Sequence, residues 1–147
     1  MLAKTPTNQF RKSNTTAKLQ YNLRILFGHV GNFAAAAIRD IKAEGINPAH
    51  YDMRFVKPLD EAMLHEVFSK YKKVITIEDG TIVGGFGSAI LEFMNEHGYK
   101  ADVKIMGIPD RLVEHGNPKQ LYDEIGIDGN GIAVVLRVMA SVKVTAE

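Results

Sequence analysis

The sequence predicts an α/β fold, a mainly parallel sheet with helices on its faces. Short apolar runs that suit buried strands alternate with stretches whose apolar residues recur every three or four positions, the spacing of an amphipathic helix. The connections between these segments are short. Strand and helix in alternation with short connections are typical of a parallel sheet, and right-handed crossovers leave few topologies for it.

Four segments are strand candidates, and the third is β-branched at nearly every position. Such a run favours burial on both faces, as in a parallel sheet that helices cover on either side. The predicted strands are Leu23–Phe27, Ala49–Phe55, Val74–Ile77 and Val103–Ile108.

Polar side chains stand where helices are expected to begin. Asn32, Asp60 and Asp128 each precede an apolar stripe and are predicted N-caps. Asn117 and Pro118 form an N-cap and first-turn pair for a short helix. The residues predicted to face inward are Ala34, Ala37, Ile38, Ile41, Met63, Leu64, Val67, Phe68, Ala89, Ile90, Phe93, Met94, Ile132, Val135, Leu136, Met139 and Val142.

Length and composition limit the classes of protein that fit. The chain has 147 residues, of which 46% are apolar and 24% charged, as in an ordinary globular domain. The net charge of +1 provides no field that would attract nucleic acid or an anionic membrane. The chain has no cysteine, which excludes disulfides and thiolate chemistry, and no apolar run near the roughly 20 residues that span a bilayer. We therefore expect a cytoplasmic protein without nucleic-acid or membrane partners.

The domain organisation follows from where large apolar residues occur. Residues 1–21 contain few of them, so this segment cannot bury enough surface to offset the entropy lost on ordering, and we predict a flexible tail or linker. Residues 22–147 are predicted to form one domain.

A charged cluster follows the second predicted strand. Arg54, Lys57 and Asp60 stand where open α/β sheets usually bind ligands, so Arg54 and Lys57 are candidates for clamping an anion or carboxylate. The alternative is a network of ion pairs that fixes the strand end and the helix cap. The residue pattern favours that alternative, because ion-pair networks imitate binding sites.

A glycine-rich turn follows the third predicted strand. Gly84, Gly85 and Gly87 precede a helix whose free N–H groups would favour an anion. The third glycine of a dinucleotide fingerprint and the Gly-Lys-Ser/Thr of a phosphate loop are both missing. The pattern therefore favours close packing of helix on strand over phosphate binding. Glu78, just before the turn, is expected to be a buried acid with a partner such as Arg54.

The best-placed titratable ring is His115, which has Asp110, Arg111 and Glu114 nearby in sequence. A catalytic base needs a partner that sets its tautomer and a substrate within reach, and neighbours in sequence provide neither. A loop histidine that packs against another domain or caps a turn is the favoured interpretation. The remaining histidines lack the spacing of metal ligands, so no metal-binding residue is predicted.

These same segments resemble the C-terminal domain of the 1-deoxy-D-xylulose-5-phosphate synthases, a branch of the transketolase family. Order and spacing agree from about residue 23 to residue 138. The Pro-Asp-Arg and His-Gly blocks favour this branch over other transketolase relatives. The resembling blocks are residues 27–32 (FGHVGN), 52–60 (DMRFVKPLD), 74–78 with 84–89 (VITIE and GGFGSA), 107–111 with 115–116 (GIPDR and HG), and 126–128 with 131–132 (GID and GI).

The resemblance implies a three-layer α/β/α domain on a mixed, mainly parallel five-stranded sheet. It also implies origin in a family of transferases of isoprenoid precursor biosynthesis, which join pyruvate to glyceraldehyde 3-phosphate with thiamine diphosphate and magnesium. In the family the cofactor performs the difficult chemistry and the protein orients it. The implied partners are upstream thiamine-binding domains or a separate catalytic subunit, with a homodimer as a further alternative.

The chain departs from the full-length family pattern at the cofactor motifs. The family's Gly-Asp-Gly…Asn magnesium motif is missing, and residues 78–80 and 128–130 are only local lookalikes. No catalytic residue is therefore transferred to this chain, and we expect a non-catalytic assembly domain that binds no cofactor by itself. A small-anion binding or regulatory module, and a free-standing enzyme that uses His115, are the alternatives.

Overall fold

The computed structural model describes the backbone of residues 23–27 and, with side chains, residues 30–112 and 116–141. The predicted tail at residues 1–21, His115 and Val142 lie outside these described residues. None of the helices in the described part of the chain is long and apolar enough to cross a membrane.

The sheet of the described residues has four strands, in the order β2-β1-β3-β4, and every neighbouring pair is parallel. The mixed five-stranded sheet that the resemblance implied is therefore wrong for this part of the chain. Each connection between successive strands contains a helix, which returns the chain to the same edge and makes the next strand parallel. The strands are β1 (Leu23–Phe27), β2 (Ala49–Asp52), β3 (Lys73–Thr81) and β4 (Asp102–Ile108).

Helices cover both faces of the sheet and complete three layers. On one face α1 and α5 pack on Ile75 and Ile77, with α4 at the border of that core. On the other face α2 and α3 pack on Val74. The helices are α1 (Gly31–Lys42), α2 (Glu61–Lys70), α3 (Phe86–Glu96), α4 (Pro118–Ile125) and α5 (Gly129–Ser141).

Strand β3 lies at the centre of both cores. Its residues from Lys73 to Glu78 are all buried, and alternate side chains enter opposite layers. The prediction of burial on both faces from the β-branched run is confirmed. Burial on both faces favours apolar residues such as Val74, Ile75 and Ile77, although Lys73, Thr76 and Glu78 of the same strand are also buried.

Three of the four predicted N-caps are confirmed. Asp60 accepts the N–H of Met63 at 3.0 Å, Asn117 accepts that of Lys119 at 3.0 Å, and Asp128 accepts that of Gly131 at 2.8 Å. Each bond satisfies one of the N–H groups that the start of a helix leaves without a partner.

The prediction for Asn32 is wrong, because α1 begins earlier and Asn32 lies inside it. Val30 occupies the cap position, and its carbonyl accepts the N–H groups of Phe33 and Ala34 at 3.1 and 3.3 Å. Val30 is itself buried in the core. Apolar anchoring and backbone hydrogen bonds thus start this helix without a polar side chain.

Candidate functional site

The carboxyl ends of the strands form the edge of the sheet where the chain reverses its winding. From β1 the chain crosses to β2 on one side, and it then returns to β3 on the other side of β1. Open α/β sheets bind ligands at such a switch point. A half-open cleft of about 250 Å³ lies there, lined by Met53, Arg54, Val56, Glu78, Asp79, Gly80 and Phe86.

Glu78 is the buried acid of this cleft, with 7% of its surface exposed. Its Oε2 accepts the N–H of Phe86 at 2.7 Å, and its Oε1 accepts the N–H of Gly87 at 2.9 Å. The carboxylate therefore caps α3, where its negative charge also complements the helix dipole. The expected partnership with Arg54 is wrong for the described residues, in which Arg54 pairs with Asp52 and Glu78 accepts from the two amides.

This cap changes what the glycine-rich turn can bind. The first N–H groups of α3 are the donors that an external phosphate or carboxylate would use. Two of them, on Phe86 and Gly87, already donate to Glu78. An incoming anion would have to displace a buried carboxylate, so the start of α3 is a poor anion site.

The glycines allow α3 to pack closely on the sheet. A Cβ on Gly85 would clash with the carbonyl of Thr81 and the carboxylate of Glu78. A Cβ on Gly87 would lie 2.5 Å from Cγ2 of Ile105. Position 85 thus requires glycine, and a side chain at position 87 would force its neighbours to shift. The close packing of helix on strand that the sequence favoured is present.

Gly84 has a different role, in the turn that precedes α3. Its φ of +71° lies in the left-handed region, which glycine adopts without a steric cost. Its N–H donates to Ser88 Oγ at 3.0 Å, and that hydroxyl donates to the carbonyl of Ile82 at 2.9 Å. The side chain of Ser88 thereby ties the turn to the helix.

The charged cluster after β2 lies on an exposed loop. Strand β2 ends at Asp52, whose partner on β1 is Phe27, and residues 53–55 pair with no strand in the described part of the chain. Nε of Arg54 lies 3.8 Å from Oδ2 of Asp52, and both side chains are well exposed. A pair this long and this hydrated contributes little to stability. Lys57 is exposed on the same loop, whereas Asp60 is occupied as the cap of α2.

The third predicted cluster is only partly described. Asp110 is exposed just beyond β4 and does not line the cleft. Arg111 Nη2 contacts Oε1 of Glu124 at 3.2 Å, so its partner is on α4. His115 lies outside the described residues, and the hypothesis of a histidine base stays a hypothesis.

Three exposed apolar side chains were missed in the sequence. Phe55 is 66% exposed, Val56 is 42% exposed and Val83 is 59% exposed. The second predicted strand, Ala49–Phe55, was too long, because β2 ends at Asp52.

The described residues contain no group of three or more histidine and carboxylate side chains arranged to hold a metal ion.

Comparison with known proteins identifies the family. The family model described as "Transketolase, C-terminal domain" matches residues 25–132, which is most of the chain. The chain belongs to this family. The resemblance drawn from the sequence blocks is thereby confirmed at the level of the family and its α/β fold.

Curated relatives refine the placement within the family. The chain is 53% identical over 115 residues to a 1-deoxy-D-xylulose-5-phosphate synthase of Cytophaga hutchinsonii, a match that covers 78% of this chain and 18% of that protein. A synthase of the same name from Bacteroides fragilis is 50% identical over 113 residues, covering 76% of this chain and 17% of that protein. The chain thus spans less than a fifth of these relatives.

Solved structures agree on the fold. A structure titled "Split gene transketolase, inactive beta4 tetramer" superposes with a TM-score of 0.75 at 26% identity, covering 84% of this chain and 40% of that one. A transketolase from Campylobacter jejuni gives a TM-score of 0.56 at 12% identity, covering 84% of this chain and 18% of that one. The second likeness shows the fold alone.

Proposed function

We propose that this chain is a non-catalytic assembly domain of a thiamine-diphosphate-dependent enzyme of the 1-deoxy-D-xylulose-5-phosphate synthase or transketolase type. The observation that carries the proposal is the extent of the match. Relatives about half identical to this chain carry the matching segment as less than a fifth of their length. The remaining four-fifths would hold thiamine diphosphate and magnesium, either in upstream domains or in a separate catalytic subunit.

The described residues do not fit a magnesium diphosphate site. Glu78, the buried carboxylate of the cleft, is bonded to two backbone amides. No cluster of three potential ligands surrounds it in the described part of the chain. A diphosphate would also meet the carboxylates of Glu78 and Asp79 in the cleft. No catalytic step is assigned to this chain.

The name of one structural neighbour supports the same proposal. That structure is titled an inactive tetramer of β chains from a split-gene transketolase, and our chain covers 40% of one such chain. By analogy, the present chain alone would be inactive and could associate with copies of itself. Activity would require the thiamine-binding part.

Calorimetry tests the proposal directly. Titrating thiamine diphosphate with magnesium into the isolated chain should give no saturable heat, and a synthase assay with pyruvate and glyceraldehyde 3-phosphate should give no turnover. The Cytophaga hutchinsonii synthase is the positive control in both measurements. Tight, saturable binding by the isolated chain would refute the proposal.

A second candidate, a module that binds small anions, is favoured by one observation. The cleft has Arg54 on its wall, and among the described residues this guanidinium has one ion pair, the long contact with Asp52. Because the amides of α3 are occupied, such a site would depend on Arg54 and the nearby Lys57. Thermal melting with inorganic phosphate or pyruvate should then show stabilisation that Arg54→Ala abolishes. A flat response eliminates this candidate.

A further inference from the structure

Two histidines that lie far apart in the sequence meet between α2 and the end of α3. His65 lies on α2, and His97 follows the last residue of α3. Their ring centroids are 4.6 Å apart, and the ring planes are nearly perpendicular at 86°. We propose that His65 and His97 form a site for a late first-row divalent metal ion such as Zn²⁺, in which two imidazoles bind the ion and water fills the remaining positions.

Both rings leave the nitrogen Nε2 available to an ion. Nδ1 of His97 donates to the carbonyl of Phe93 at 3.0 Å, which in the neutral ring places the proton on Nδ1 and the lone pair on Nε2. Nδ1 of His65 lies 2.8 Å from the hydroxyl of Tyr99, which can accept the same kind of hydrogen bond. Neither Nε2 has a hydrogen-bond partner among the described residues. Histidines that bind metals commonly donate their other ring nitrogen to such an acceptor.

An ion can reach these nitrogens from solvent. His97 is exposed and His65 is half-buried. If Nε2 of His65 were buried without a partner, it would be an unsatisfied polar atom, and within the described residues the only such side-chain atom is Oγ1 of Thr76. Nε2 of His65 is therefore not sealed inside the core.

The distance between the two rings suits two ligands of one ion. A Zn–N bond is about 2.0–2.1 Å and an imidazole centre lies roughly 1.1 Å behind its nitrogen, so each ring centre would lie roughly 3.2 Å from the ion. Ligand angles from about 90° to 109° then separate the ring centres by roughly 4.5–5.2 Å. The observed 4.6 Å falls in this range. Imidazole nitrogen suits zinc, copper and nickel, whereas magnesium prefers oxygen ligands.

Packing positions the two rings before an ion binds. His97 stacks on Phe93 with centroids 4.2 Å apart, and His65 meets the same phenyl ring edge-on at 5.0 Å. Tyr99, beside His65, stacks on Phe68 of α2 at 5.6 Å. Ligands held in place lose little conformational entropy on binding. The pair lies at the end of α3, whereas the cleft at the carboxyl edge lies at its beginning.

The number of protein ligands determines what kind of site this is. Two histidines are fewer than the three side chains of a metal cluster, which the described residues do not contain. Closed structural zinc sites have four protein ligands. We therefore expect an exchangeable site, in which the ion bridges α2 and the end of α3 and raises the melting temperature as its concentration rises.

Calorimetry on the isolated, metal-free chain tests the site. Zn²⁺ should bind wild type saturably, whereas Mg²⁺ should give no saturable heat. His97→Gln should weaken Zn²⁺ binding at least about tenfold, the loss typical even for an outer-shell partner. His50→Gln is the matched control, because His50 is an exposed histidine on β2, outside the pair. Circular dichroism without metal checks that each variant folds.

Proton NMR adds a readout that a purely structural role would not move. The ring resonances of His65 and His97 should shift together on addition of Zn²⁺, while those of His50 should not. Tyr99→Phe removes the hydroxyl beside His65 but keeps the aromatic ring, and it should weaken Zn²⁺ binding about tenfold. Undetectable binding by wild type would overturn the inference. Equally tight binding by wild type and the double variant His65→Gln/His97→Gln would overturn it as well.

Discussion

Glu78 and the glycines around it fix how α3 meets the sheet. The carboxylate satisfies two amides of α3, while Gly85 and Gly87 remove the side chains that would keep the helix at a distance. A buried carboxylate is stable when hydrogen bonds replace its lost hydration. The cap by Glu78 and the close packing of α3 on the sheet therefore depend on each other. One substitution at Glu78 and one at Gly87 test them separately.

Replacing Glu78 with glutamine should destabilise the domain. The amide oxygen can accept one N–H of α3, but the amide nitrogen faces the second N–H as a donor facing a donor. We expect a loss of about 1–3 kcal/mol in the free energy of unfolding, measured by urea denaturation. Asp79→Asn is the control at the adjacent exposed acid and should change stability by less than about 0.5 kcal/mol. Similar losses for the two variants would contradict the cap.

Adding a methyl group at position 87 tests the close packing. In Gly87→Ala the new Cβ would lie 2.5 Å from Ile105 Cγ2 and 2.7 Å from Thr76 Oγ1. We expect destabilisation of about 1–3 kcal/mol, because an overpacked core must shift. Gly129→Ala is the matched control, since its nearest contact is Ala36 Cβ at 3.8 Å and alanine favours the helix. A melting temperature unchanged by Gly87→Ala would show that α3 can move away freely.

At the scale of elements, a long-range ion pair joins α5 to the end of α1. Arg137 on α5 donates to both carboxylate oxygens of Glu44, with Nε–Oε2 at 2.8 Å and Nη2–Oε1 at 2.6 Å. The pKa of Glu44 is lowered, chiefly by this hydrogen bonding and also by the positive charge, while desolvation opposes the shift. Both groups are exposed, so the contribution to stability is modest.

The ion pair makes the stability of the α1–α5 layer depend on pH. Because the pKa of Glu44 is lower in the folded chain, its contribution is complete above the ordinary pKa of glutamate, about 4.3, and is lost as pH falls through the folded value. Arg137→Gln should therefore lower the melting temperature slightly at pH 7 and have no effect near pH 2. Arg39→Gln, on α1, is the control. A difference between wild type and Arg137→Gln that persists at pH 2 would contradict this linkage.

Sequence patterns correctly predicted the features that depend on residues close together in the chain. The β-branched run of β3 and the caps at Asp60, Asn117 and Asp128 depend on residues close in sequence, so they were predictable. The end of β2 at Asp52 was not, because the pairing of β2 with β1 depends on residues distant in sequence. The partners of Glu78 were missed because the amides of Phe86 and Gly87 come within hydrogen-bonding distance only when α3 packs on β3.

At the scale of the whole molecule, the chain is an α/β domain that matches less than a fifth of the length of its relatives. Its described residues provide two apolar cores, one on each face of the sheet. Under our proposal, this domain would stabilise and orient a catalytic part located elsewhere.

The activity of a chimeric enzyme tests most directly the proposal that this chain is an assembly domain. The Cytophaga hutchinsonii synthase truncated to remove the matching segment is compared with the same enzyme carrying residues 25–132 of this chain in its place. We predict that the chimera regains thiamine-dependent synthase activity at least about tenfold above the truncated enzyme. A folded chimera that is no more active than the truncated enzyme would contradict the claim.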